Sequence, residues 1–161
     1  MKSMLATPSR AGVGHRFARL SSLIERGYRL LDALQSPAAL LARLYVANVF
    51  FSSGLTKLRD WDITLALFMD EYHVPLLPPG LAAWMGTGGE LVLPVLLVLG
   101  LGGRFAALGL SVVNVMAVLS LSEIAPAALQ QHITWGVLLA ALALYGPGAW
   151  AADRFISKKW L

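Results

Sequence analysis

Residues 86–100 read Gly-Thr-Gly-Gly-Glu-Leu-Val-Leu-Pro-Val-Leu-Leu-Val-Leu-Gly, an apolar run that holds one carboxylate, Glu90, and a proline four residues later, Pro94. An ionised side chain at the centre of a bilayer costs about 2.5–3.5 kcal/mol on insertion scales. Glu90 must therefore face protein and meet a donor or a cation. Within a helix Pro94 cannot donate to the carbonyl of residue 90, and its ring crowds that carbonyl. Two acceptors thus meet at one point, and the rest of the chain can be read as the shell that satisfies them.

The surrounding composition has the same character. Of 161 residues, 57% are hydrophobic and 14% charged, and the apolar ones are gathered in long blocks rather than spread at amphipathic spacing. Four blocks, near 38–56, 81–99, 105–121 and 127–145, approach the roughly 20 residues that a membrane-crossing helix needs. The expected fold is all-α: an integral membrane four-helix bundle preceded by an N-terminal amphipathic interfacial helix. The absence of cysteine excludes a disulfide framework and thiolate chemistry by this chain. A formal charge of +4 does not point to nucleic acid, because the basic residues flank apolar spans, where they orient the protein and touch anionic lipid.

Residues 1–14 contain Pro8, Gly12 and Gly14 without the apolar core of a signal peptide, and read as a retained tail. Over 17–34, Phe17, Leu20, Leu23, Ile24, Tyr28, Leu30, Leu31 and Leu34 recur at three- and four-residue spacing, while Arg19, Glu25, Arg26, Arg29 and Asp32 fall mostly on the other side. This helix either lies on the membrane or packs on a partner, since amphipathicity does not name its apolar neighbour. Ser36-Pro37 has the form of a helix start, a serine cap with proline in the first turn. The expected organisation is a cytoplasmic tail and amphipathic helix at 1–36, a four-span domain at 37–148 and a basic tail at 149–161.

The connection 57–80 carries Asp60, Asp62, Asp70, Glu71 and His73 and closes on Pro75, Pro78, Pro79 and Gly80, with room for a short helix over 63–69 behind an anchoring Trp61. The turn at 100–104 is short enough to make its flanking spans adjacent and antiparallel. Most Lys and Arg residues lie before residue 36, at Arg104 or in the tail (Arg154, Lys158, Lys159). By the positive-inside rule both termini are expected in the cytoplasm of a bacterial-type inner (plasma) membrane.

Counting about 1.5 Å per residue from the cytoplasmic end puts Arg43 roughly 8 Å deep, and Asn48, Glu90 and Asn114 near 14 Å, about the midplane. Arg43 can extend toward that level and is the preferred partner of Glu90, with Lys57 as the alternative. His132 lies toward the outer half of the last span, beside Gln131 and Trp135. Each of these residues also has a plain structural role open to it: Arg43 can snorkel to the interface, Asn48 and Asn114 can bond between helices, and His132 can be structural. No phosphate loop, dinucleotide fingerprint or activated nucleophile is present. Three scattered histidines, His15, His73 and His132, do not make a metal or haem site.

The order of Arg43, Phe50, Gly54 and Lys57 on the first span, Val74-Pro75 in the long loop, Glu90-Leu91 on the second span, Gly100 to Arg104 as the turn, and Gly146-Pro147-Gly148 before Asp153-Arg154 resembles the DoxX family of small four-helix membrane proteins. The resemblance implies a quinone-facing membrane subunit or accessory component of an oxidoreductase complex, with quinone as the cofactor and no metal, haem or nucleotide. In that reading Glu90 relays a proton, and Arg43, Asn48, Asn114, His132 and Lys57 surround the quinone. With no cysteine and no cofactor motif, the electron donor would be another redox subunit, and this chain would not be an enzyme alone. Two other functions stay open: a membrane anchor that recruits a soluble partner through its basic N-terminal segment, and a small-solute permease, which would need a homo-oligomer to form a pore.

Overall fold

A computed structural model describes the backbone of residues 11–160 and the side chains of residues 22–156. Within them the chain forms six helices and no strand: α1 (Ala11–Arg59), α2 (Trp61–Asp70), α3 (Pro79–Leu99), α4 (Gly103–Leu119), α5 (Pro126–Tyr145) and α6 (Ala152–Trp160). Contacts divide the chain into two compact units, 1–35 and 36–161.

In the first unit every described side chain, from Ser22 to Gln35, is exposed, including Leu23, Tyr28, Leu30, Leu31 and Leu34. Of the predicted tail at 1–14, residues 1–10 lie outside the described residues and residues 11–14 already belong to α1; the side chains of the amphipathic pattern at 17–21 lie outside the described ones.

The second unit is built around Val46 and Phe50 of α1, Leu97 of α3, Ala106, Ala107 and Leu110 of α4, and Leu139 and Leu142 of α5. Small residues on α4 let it pack against both α3 and α5. A second cluster, Phe68 with Ala82 and Ala83, joins α2 to α3. Ser36-Pro37 does not begin a helix, because the backbone is already helical there and Pro37 lies inside α1. Proline removes one helical hydrogen bond without abolishing its neighbours. The Ser36 hydroxyl, free of a capping role, instead accepts from the Ala149 amide at 3.1 Å.

Three helices are long and apolar enough to cross a membrane: the Ser22–Arg59 part of α1, α3 and α5. The third predicted span is α4, apolar but 17 residues long, or roughly 26 Å against a hydrocarbon layer of about 30 Å. Large apolar side chains project outward along these helices, among them Leu44, Val92, Val95, Phe105, Val112, Val115 and Val137. An outer surface this rich in large aliphatics suits a bundle whose solvent is lipid.

The short helix over the long connection is longer than its sequence pattern, starting at Trp61 rather than Ile63. Asp60 caps it by accepting from the Ile63 amide at 3.0 Å. Thr64 donates to the carbonyls of Lys57 and Asp60, both at 2.9 Å, which satisfies the otherwise orphaned end of α1. The chain then returns to α4, where the His73 amide donates to the Ser120 carbonyl at 2.8 Å.

Candidate functional site

α1 and α3 approach closely at Gly54. A Cβ built there would come within 2.9 Å of Leu91 Cγ and 3.1 Å of Glu90 Cβ. One helical turn beyond it, Lys57 reaches across. Its Nζ lies 2.6 Å from Glu90 Oε2 and 2.8 Å from Oε1, and 3.0 Å from Ser53 Oγ on its own helix. The pair is largely withdrawn from solvent, the Lys57 and Glu90 side chains being 20% and 9% exposed. At this depth the carboxylate has the cation that its placement in an apolar run demands.

Arg43 is elsewhere. It is fully buried, its guanidinium donates to the Trp150 carbonyl at 3.1 Å, and a Cβ built on Gly100 would fall 2.7 Å from its NH1 atom. Gly100 ends α3 ten residues after Glu90, about 15 Å along the axis, beyond the reach of a guanidinium held at Gly100. The depth count preferred Arg43 because it fixed each span's level separately. The packed helices bring Lys57, not Arg43, to Glu90. Arg43 instead lies by the carbonyl end of α3, where the helix dipole favours a cation.

The same end of α3 collects other residues of the sequence pattern. Gly100 has φ +70°, and a Cβ on it would clash with Ala151 at 2.6 Å. Asp153 accepts from the Gly102 and Gly103 amides at 3.0 and 3.1 Å, placing a negative charge on the first turn of α4. Gly146-Pro147-Gly148 and Asp153 therefore serve a structural junction, to which Arg43 belongs.

A cavity of about 420 Å³ opens beside the ion pair, within the range of small-molecule sites. α1 contributes Val49, Phe50, Ser53 and Lys57; α3 contributes Met85, Gly86 and Glu90; α4 and α5 contribute Val113, Met116, His132 and Trp135. α2 and the loop after it close the outside with Phe68, Tyr72, Val74 and Leu77. Trp135 stands edge-on to Phe50, with centroids 5.9 Å apart, and to His132, at 4.9 Å. Its indole donates to the Tyr45 hydroxyl at 3.4 Å.

His132 is held by Asn114. The Asn114 amide nitrogen donates to the His132 carbonyl at 2.9 Å, and its oxygen lies 2.8 Å from His132 Nδ1. Asn114 is thus behind the histidine, not in the cavity lining. Asn48 is exposed on α1 and takes no part in the cavity. Of the sequence-predicted residues, the structure gathers Glu90, Lys57 and His132 around one space, supports His132 with Asn114, and separates Arg43 and Asn48 from it.

Tyr72 and Phe68 are the residues that sequence reasoning missed. They reach the cavity because α2 folds back on α3, an arrangement that a loop, rather than a periodicity, determines. Burial, then the charges of Glu71 and Glu90, push the Tyr72 phenol above its ordinary range, so it remains a neutral hydroxyl at pH 7. The lining offers apolar walls, an aromatic edge, an ion pair and a histidine. It can hold a flat, mostly apolar molecule and exchange hydrogen bonds or a proton with it.

The chain is similar to an uncharacterised protein of Haemophilus influenzae, 29% identical over 128 residues, a stretch covering 74% of this chain and 83% of that one. No solved structure matches it. The DoxX family model matches residues 38–123, slightly more than half of the chain, including Arg43, Gly54, Lys57, Glu90 and the Gly100–Arg104 turn but ending before His132 and Gly146-Pro147-Gly148. This chain, with its helices long and apolar enough for a bilayer, belongs to the DoxX family.

Proposed function

We propose that this chain is a quinone-facing membrane subunit, or an accessory component, of an oxidoreductase complex, spanning the inner membrane four times with both termini in the cytoplasm. The observation that carries the reading is the apolar cavity in which a buried ion pair and an oriented histidine face the same space. The lining residues fit a quinone headgroup in kind: apolar walls receive the ring, Trp135 offers an edge to it, and Glu90, Lys57 and His132 supply polar partners for its oxygens. Bound quinone supplies a two-electron, two-proton couple that no side chain of this protein possesses.

The protein's own residues have distinct parts in this reading. Glu90 accepts or passes on a proton, and Lys57 holds its carboxylate in place while neutralising it. His132, fixed by Asn114, binds one ligand oxygen, and the aromatic wall excludes water. Electrons come from a partner subunit, since the chain carries no cysteine and no redox group of its own. Arg43 serves the inner junction and not the cavity.

The test is Glu90→Gln in the purified complex. Gln keeps the shape but loses the charge, the exchangeable proton and one of the two oxygens that accept from Lys57, so quinone-linked turnover is expected to fall at least about tenfold. Undiminished turnover would overturn the proton-relay role. Mass spectrometry of quinones co-purifying in mild detergent checks occupancy independently, with a loss expected in the Glu90→Gln and His132→Ala proteins.

A further inference from the structure

The hydrogen positions in the cavity follow from its partners. The His132 backbone carbonyl can only accept, so the Asn114 atom 2.9 Å from it is the amide nitrogen. The other Asn114 atom is then the amide oxygen, which also only accepts. His132 Nδ1, 2.8 Å away, must therefore carry the ring proton. In the neutral imidazole this leaves Nε2 as a lone pair, and the ring can offer a ligand nothing but an acceptor.

The charged side of the cavity has the same polarity. Lys57 has three N–H bonds, and three oxygens receive them: both carboxylate oxygens of Glu90 and the hydroxyl of Ser53. No lysine proton is left for a ligand. Each Glu90 oxygen keeps further lone-pair capacity, so this side too presents acceptors. Ser120 is committed as well, donating to the Ala117 carbonyl. The hydroxyls of Ser53 and Tyr72 can turn either way and do not discriminate.

We propose that this cavity binds the reduced, dihydroxyaromatic form of its ligand, a hydroquinone, in preference to the oxidised dione. The inference rests on the reading of the cavity as a quinone site and adds the redox form to it. A hydroquinone donates one hydroxyl toward His132 Nε2 and the other toward the Glu90 carboxylate, so both committed acceptors are satisfied. The dione has only acceptor oxygens, which would meet lone pairs on both sides and leave buried acceptors unpaired.

The experiment is calorimetric titration of the full chain in mild detergent under argon, at pH 7.5, with three probes. These are a decyl-substituted dimethoxy-methyl-hydroquinone, its benzoquinone, and the hydroquinone dimethyl ether, which keeps the ring and tail but has no hydroxyl. The hydroquinone is expected to bind at least about tenfold more tightly than either of the others. Asn114→Leu removes the group that fixes the tautomer and lets Nε2 carry the proton. In that protein the preference is expected to collapse toward unity, through a gain in dione binding and a loss in hydroquinone binding. Equal or tighter binding of the dione by the wild-type chain would overturn the inference while leaving the cavity a quinone site. Binding of none of the three would overturn the site reading itself. Should Asn114→Leu not fold, the wild-type comparison of the three probes still decides.

Discussion

Glu90 and Arg43 are both buried charged residues of the family pattern, yet they answer to different needs. Glu90 is matched by a cation on the facing helix, whereas Arg43 is matched by a carbonyl and by the end of α3. Removing one partner of a buried pair leaves the other uncompensated, which is worse than removing both. Lys57→Met is therefore expected to destabilise the protein by up to about 3 kcal/mol, the partial exposure of Lys57 reducing the penalty. The double change Lys57→Met with Glu90→Leu should recover most of that loss in thermal denaturation in detergent, and a double variant no more stable than the single one would contradict the pairing. Arg43→Met should act at the other end. It is expected to speed amide hydrogen exchange around residues 146–156, where Trp150 loses its donor, and to leave ligand binding in the cavity unchanged. Sequence depth alone placed Arg43 beside Glu90, because a count along each helix contains no information on how one helix is shifted against another.

Among the elements, α1 and α3 set the site through one close approach. Gly54 is small because Leu91 and the stem of Glu90 occupy the space its side chain would take. Gly54→Ala is expected to force the two helices apart and lengthen the Lys57–Glu90 contact, destabilising the protein by about 1–3 kcal/mol and weakening any cavity ligand. Thermal denaturation together with ligand titration checks this, and a Gly54→Ala protein unchanged in both would show that the approach is looser than described. α2 has the opposite character. Its apolar run over 63–69 was legible in the sequence, but its start at Trp61 behind the Asp60 cap and its service as the cavity's outer wall were not, since Phe68 and Tyr72 gain their place from the turn that returns the chain to α3 and Ser120.

On the scale of the whole molecule, the two units differ in what they expose. The cavity lining begins at Val49 and lies within 36–161, whereas residues 22–35 expose their apolar side chains. That exposure suits the alternative reading, a membrane anchor that recruits a soluble partner through its basic N-terminal segment. Removal of residues 1–35 is expected to leave the detergent melting temperature and cavity binding little changed while abolishing recruitment of a partner subunit, and loss of cavity binding in the shortened chain would refute this division. The sequence by itself determined that the chain is helical and suited to a bilayer, where α3, α4 and α5 begin and end to within about two residues, and that Glu90 needs a partner. These follow from local quantities: apolar run length, the Gly and Pro residues that stop helices, and the penalty for a lone charge in hydrocarbon. The tertiary structure alone decided that the partner is Lys57, that Asn114 stands behind His132 with a fixed tautomer, that Asn48 faces outward, and that α2 closes the cavity. Each of these depends on the axial shift and rotation of one helix against another, which small residues such as Gly54 permit and no single helix's pattern records.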